Sequence, residues 1–197
     1  MQENGDLSYS IQDEALKAAE AIRMGKVILY PTDTIWGLGC DIFNENAVKR
    51  IYEIKERPLN KPFILLVSNL EMLKRYVFIH PRVETLLVYH QKPLTLIYPK
   101  VEHLPDYLCG EDGSIAIRLT HDSFCQYLIN KIDKPIISTS ANLGGQPFPQ
   151  NFSDVSSEIK EMVDYTVELN IVKSDEEAQP SIIATFNHKG ELNFIRT

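Results

Sequence analysis

The sequence predicts an α/β fold, a mixed twisted open sheet with helices on its faces, and two observations predict it. Short apolar runs of strand length alternate with stretches of helical period along the whole chain, but without a strict strand–helix–strand repeat. The 197 residues, 44% apolar and 24% charged, suit one sizeable core and a single domain over 1–197.

In chain order, a helix is expected over 11–24. Ser10 serves as its N-cap, Asp13 and Glu14 lie in the first turn, and Gly25 follows its end. Ile11, Ala15, Ala18, Ala19 and Ile22 supply its apolar face. Val27 to Tyr30 is a short buried strand stopped by Pro31, and 32–39 (Thr-Asp-Thr-Ile-Trp-Gly-Leu-Gly) is expected to form no regular element. Helical period returns over 45–55, and Pro58 and Pro62 make 57–62 a loop. A strand over 63–67, helices over 69–77 and 81–89, and a strand over 94–98 follow. The turn at Asp112-Gly113 leads into a strand over 115–119, then a helix over 123–132 and a strand over 135–138. A helix near 154–163 and strands over 166–169, 182–186 and 192–195 complete the series, the last two joined at His188-Lys-Gly190.

The N-terminus is acidic rather than signal-like, and no apolar run is long enough to span a bilayer, so a cytoplasmic location without membrane contact is expected. The three cysteines are widely separated and the five histidines scattered, which argues against disulfides and a protein-built metal site. A net charge of −7 does not favour general nucleic-acid binding, so an anionic ligand would need cations gathered in one place.

There is no phosphate-loop motif, no complete dinucleotide fingerprint and no nucleophile elbow. Four clusters of polar residues mark other sites, mostly at strand ends, where ligands of open α/β sheets tend to bind. Pro31 to Gly39 offers hydroxyls and close glycines, or an ordinary capped turn. Lys55 and Arg57 flank Glu56 before Pro58, as a phosphate clamp or as favourable charge at a helix end. Arg118 inside an apolar strand needs a partner, either a substrate carboxylate or an internal acid such as Asp33 or Asp41. Ser138-Thr-Ser-Ala-Asn142, followed by Gly144-Gly145, could line phosphate oxygens or cap the next helix.

Taken in order, these four segments resemble the YrdC/Sua5 family of threonylcarbamoyl-adenylate synthases over roughly 10–196, with the Lys-x-Arg and Ser-x-Asn signature at Lys55/Arg57 and Ser140/Asn142. The resemblance implies a YrdC-like (RibB-like) fold around a positive cavity. It implies a reaction in which L-threonine, bicarbonate and ATP, with Mg²⁺ carried on the nucleotide, give threonylcarbamoyl-adenylate and pyrophosphate. The product would pass to a separate transferase complex that modifies adenosine 37 of tRNA, with at most a weak RNA contact by this chain.

By the same resemblance, Lys55, Arg57, Ser140 and Asn142 would carry the chemistry. ATP would be surrounded by Lys55, Arg57, Lys61, Ser114, Ser138, Ser140, Asn142 and Arg196, and threonine by Thr34, Arg118 and Ser181. Two positions depart from relatives: Lys61 stands where asparagine is common, and Leu66 where some members carry histidine. Two other readings are a YciO-like paralogue, which departs from both signature motifs, and an RNA-binding relative without adenylation activity.

Overall fold

The computed structural model describes residues 3–99, 101–169 and 179–197. Helix α1 (Glu3–Arg23) begins earlier than the capping pattern predicts, so Ser10 lies inside it. Serine is only mildly unfavourable in a helix interior, and no proline precedes it to stop the chain. Glu14 is accordingly not a first-turn residue. It is buried and accepts from Lys17 Nζ at 2.7 Å, Tyr165 Oη at 2.9 Å and the Glu168 amide at 3.0 Å, tying α1 to a distant segment. Gly25, at φ +78°, ends the helix as expected.

β1 (Ile28–Tyr30) is followed by β2 (Gly37–Gly39), where no regular element was expected. Two glycines in three residues have the composition of a turn, but backbone pairing on both sides makes them a strand. At Gly39 the reason for glycine is steric. A Cβ there would stand 2.7 Å from Tyr30 Cε1 and 2.8 Å from the Ile137 carbonyl.

Next come α2 (Glu45–Ile54), β3 (Ile64–Val67), α3 (Leu70–Lys74), α4 (Pro81–Tyr89), β4 (Leu94–Tyr98), β5 (Ile115–Leu119) and α5 (Ser123–Ile132). β6 (Ile136–Ser140), α6 (Ser157–Met162), β7 (Tyr165–Thr166), β8 (Ile182–Phe186) and β9 (Leu192–Arg196) complete the order. Of these, α3, α6 and β7 are shorter than the periodicity suggests, whereas β6 runs two residues further, through Thr139 and Ser140.

Among the described residues the strands form one nine-stranded sheet in the order β7-β1-β2-β6-β3-β5-β4-β8-β9. Pairing is parallel at β1/β7, β3/β5 and β4/β8 and antiparallel elsewhere, so the sheet is mixed, as expected. The core includes Leu38, Leu65, Leu96, Ile117 and Ile137 from the central strands, and helix residues such as Ala18, Ile51 and Leu128 pack into it. No helix among the described residues is long and apolar enough to cross a membrane.

Candidate active site

A cleft of ≈ 390 Å³ opens on one face of the sheet. Thr34, Arg57, Arg118, Ser138, Ser140, Asn142, Ser181 and Arg196 all line it, although they come from segments distant in sequence. Strand order is the cause. β6 lies between β2 and β3, and β5, β4 and β8 follow, so the Ser138–Asn142 segment lies near both Thr34 and Arg118. Among the described residues lining the cleft none is acidic, while three are arginines. An acidic protein thus keeps a cationic pocket, and anions are its natural occupants.

The corner after α2 separates Lys55 from Arg57. The Glu56 amide bonds to the Glu53 carbonyl and the Arg57 amide to the Tyr52 carbonyl, both at 3.0 Å, with Glu56 in the left-handed region at φ +48°. This helix-ending motif usually carries glycine at the left-handed position. The turn directs Arg57 into the cleft and Lys55 beneath it. Lys55 is buried, and its Nζ donates to the Ser140 carbonyl, to the Asn142 carbonyl at 2.7 Å and to Asn142 Oδ1 at 3.4 Å. In return the Gly144 amide donates to the Lys55 carbonyl at 2.8 Å. Burial, with Arg57 close by, pulls Lys55 down to about 7.

The Ser138–Asn142 segment is therefore gripped from below. Ser140 Oγ donates to Asn142 Oδ1, and Asn142 Nδ2 donates to the Leu143 and Gln146 carbonyls. Gly144 allows the close approach, since a Cβ would lie 3.2 Å from the Lys55 carbonyl. Arg57 Nε and Nη2 reach the carbonyls of Lys61 and Pro62 at 3.0 and 3.2 Å, and its guanidinium lies over the Phe63 ring at 5.2 Å. Burial lowers its proton affinity.

On the opposite side, Arg118 projects from β5. Its Nη1 donates to Thr34 Oγ1 at 2.9 Å, and its Nη2 lies 3.1 Å from Asp33 Oδ1 in a buried ion pair. Asp33 is thus its internal acid, whereas Asp41 pairs with Lys134 at 3.1 Å. The pair is not fully satisfied. Arg118 Nε and Asp33 Oδ1 are buried without a hydrogen-bond partner among the described residues. Arg196 Nε and Nη2 donate to the Ser181 carbonyl at 3.1 and 2.7 Å. Burial first, then the neighbouring Arg118 charge, lowers the proton affinity of Arg196. Two guanidiniums facing one space favour a negatively charged occupant.

Lys55, Lys61, Ser114 and Leu66 do not line the cleft. Lys61 is exposed and contributes its carbonyl to Arg57. Ser114 Oγ donates to Asp112 Oδ1 at 2.6 Å, and Leu66 is buried in β3. Sequence reasoning did not single out the apolar wall of Pro62, Phe63, Ile64 and Phe148. An aromatic residue between Pro147 and Pro149, soon after the polar run, was the available signal for Phe148. Among the described residues no group of three or more histidine, cysteine or acidic residues could hold a metal ion.

The chain is similar to known proteins over most of its length. The Sua5/YciO/YrdC family model, described as telomere recombination, matches residues 20–197. A protein of Pseudoalteromonas translucida named threonylcarbamoyl-AMP synthase is 34% identical over 163 residues, covering 81% of this chain and 87% of that protein. One of Escherichia coli O1:K1 / APEC with the same name is 36% identical over 146 residues, covering 72% and 77%. Among solved structures, P. abyssi Sua5 complexed with L-threonine superposes with a TM-score of 0.76 at 28% identity, over 89% of this chain and 51% of that one. E. coli YciO superposes with a TM-score of 0.79 at 26% identity, over 94% and 89%.

Proposed function

Because the chain belongs to the Sua5/YciO/YrdC family, we propose that it is a threonylcarbamoyl-AMP synthase, an enzyme of tRNA modification that transfers an adenylyl group. The observation that carries this reading is the cationic cleft, with a loop-built side bearing hydroxyls and amides and a sheet-built side bearing Arg118. Superposition alone does not separate a synthase from YciO, since both kinds of structure fit comparably. The intact Lys55/Arg57 and Ser140/Asn142 motifs, and two relatives above 30% identity that bear the synthase name, favour the synthase.

The substrates are L-threonine, bicarbonate and ATP, the last as its Mg²⁺ complex. The threonine amine and bicarbonate form a carbamate with loss of water. A carbamate oxygen attacks the α-phosphorus, the bond to the β-phosphate oxygen breaks, and pyrophosphate leaves. Such a nucleotidyl transfer needs mainly alignment and stabilisation of developing negative charge. Arg57, with Ser138, Ser140 and Asn142, takes the phosphate side, while Arg196 reaches in from the far side. Arg118 lines the cleft and receives the threonine carboxylate, and Thr34 and Ser181 face the same substrate. Lys55 supports the phosphate side from beneath. Residues 1–197 act as one catalytic domain, and the adenylate passes to a separate tRNA-modifying transferase in the cytoplasm.

Incubation with ATP, Mg²⁺, bicarbonate and L-threonine should yield pyrophosphate and an adenylate separable by chromatography, only with all substrates present. Pyrophosphate release indifferent to leaving out threonine or bicarbonate would overturn the reaction.

A further inference from the structure

Thr95 in β4 is fully buried, and its hydroxyl lies 2.7 Å from Ser181 Oγ. Valine has nearly the same shape, is as suited to a strand, and would need no partner in such a place. The hydroxyl therefore calls for a reason, and strand register supplies one. Thr95 stands opposite Arg118 in the antiparallel pairing with β5 and beside Ile183 in the parallel pairing with β8. Arg118 and Ile183 line the cleft, as does Ile97, two residues along from Thr95 on the same strand face. Thr95 thus belongs to the cleft-facing rows of the sheet but does not itself line the cleft.

Ser181 is held at two points. Its hydroxyl meets Thr95, and its carbonyl accepts twice from Arg196. A serine hydroxyl has one donor and two acceptor positions, so the bond to Thr95 leaves the rest for whatever enters the cleft. Without Thr95 the Ser181 side chain could turn to another rotamer.

Resting on the assignment of Ser181 to the amino-acid substrate, we infer that Thr95 is a positioning residue that orients the Ser181 hydroxyl toward bound threonine. The test compares T95V, T95S, S181A and the T95V/S181A double variant by calorimetric titration with L-threonine and, separately, with MgATP. T95V should weaken threonine binding about three- to tenfold, the range expected for one lost hydrogen bond. MgATP binding should be unchanged, T95S should restore threonine affinity to within about twofold, and the double variant should bind threonine no more weakly than S181A.

Wild-type threonine affinity in T95V beside a weakened S181A overturns the role of Thr95 and leaves the Ser181 assignment standing. Wild-type affinity in S181A overturns both. Equal loss of threonine and MgATP affinity in T95V points to a purely structural threonine and also defeats the inference. Should T95V not fold, T95C replaces the hydroxyl with a weaker hydrogen-bonding group of similar size. It should then bind threonine more weakly than T95S, and equal binding would count against the inference.

Discussion

The two sides of the cleft are built in different ways. On the side proposed to take the phosphates, the turn after α2 and the end of β6 with its following loop grip each other mainly through main-chain groups. Lys55 Nζ holds the carbonyls of Ser140 and Asn142, and Gly144 returns an amide to the Lys55 carbonyl. On the side proposed for threonine, strand side chains meet side chains of adjoining segments directly, as Arg118 of β5 does with Asp33 and Thr34 between β1 and β2, and Thr95 of β4 with Ser181 just before β8. The first construction adapts by moving backbone. The second is fixed by strand register, so a substitution there should act on one ligand without disturbing the other.

Arg57→Ala tests the proposed phosphate side most severely, since under the proposed reaction it removes a donor to charge that develops in the transition state. Turnover should fall about 10²- to 10³-fold, measured as pyrophosphate release at saturating substrates. A fall confined to threonine affinity would erase the distinction between the two sides.

Arg118→Met tests the other side. It leaves the Asp33 carboxylate buried without its cation, and the loss of stability in urea should be about 3 kcal/mol. Adding Asp33→Asn should recover part of that loss, and threonine affinity should suffer more than MgATP affinity. A double variant no more stable than Arg118→Met would show that the ion pair is not what holds this side together.

The most gradual effect is one of pH. The folded state binds the Lys55 proton less readily than the unfolded chain, whose lysine titrates near 10.5. The cost of burying the charge is fully present below about 7 and disappears as pH rises toward the unfolded value. Across that interval wild type should gain stability relative to Lys55→Met, at no more than about 1.4 kcal/mol per pH unit. Urea midpoints of both proteins at several pH values between 7 and 10 give the slope, and parallel curves would mean that Lys55 keeps its proton throughout.

Much of this was legible in the sequence. An arginine in an apolar strand announced a partner, and Asp33 was one of the two internal acids named beside a substrate carboxylate. Lys55 and Arg57 before Pro58 could be read as a phosphate clamp or as helix-end charge, and neither reading contained the result, in which one cation lies under the loop and the other in the cleft. Lysine two residues from arginine in a nucleotide motif suggests two phosphate ligands, and only tertiary structure reveals the carbonyls that take up the first. Gly37–Gly39 was misread because a glycine-rich strand owes its existence to neighbours on both sides. Thr95 escaped notice because a threonine in a strand needs no explanation until its register beside Arg118 is known.

The strand order also bears on how the chain matures as it leaves the ribosome. The interior of the sheet, from β1 across to β4 in sheet order, comes from residues 28–140, whereas the borders β7, β8 and β9 all come from beyond residue 164. Until those later segments emerge, β1 and β4 have bare edges that invite pairing with other chains. The nascent protein should therefore depend most on chaperones just before β7, β8 and β9 emerge, when its hydrophobic interior is assembled but its margins are still unprotected.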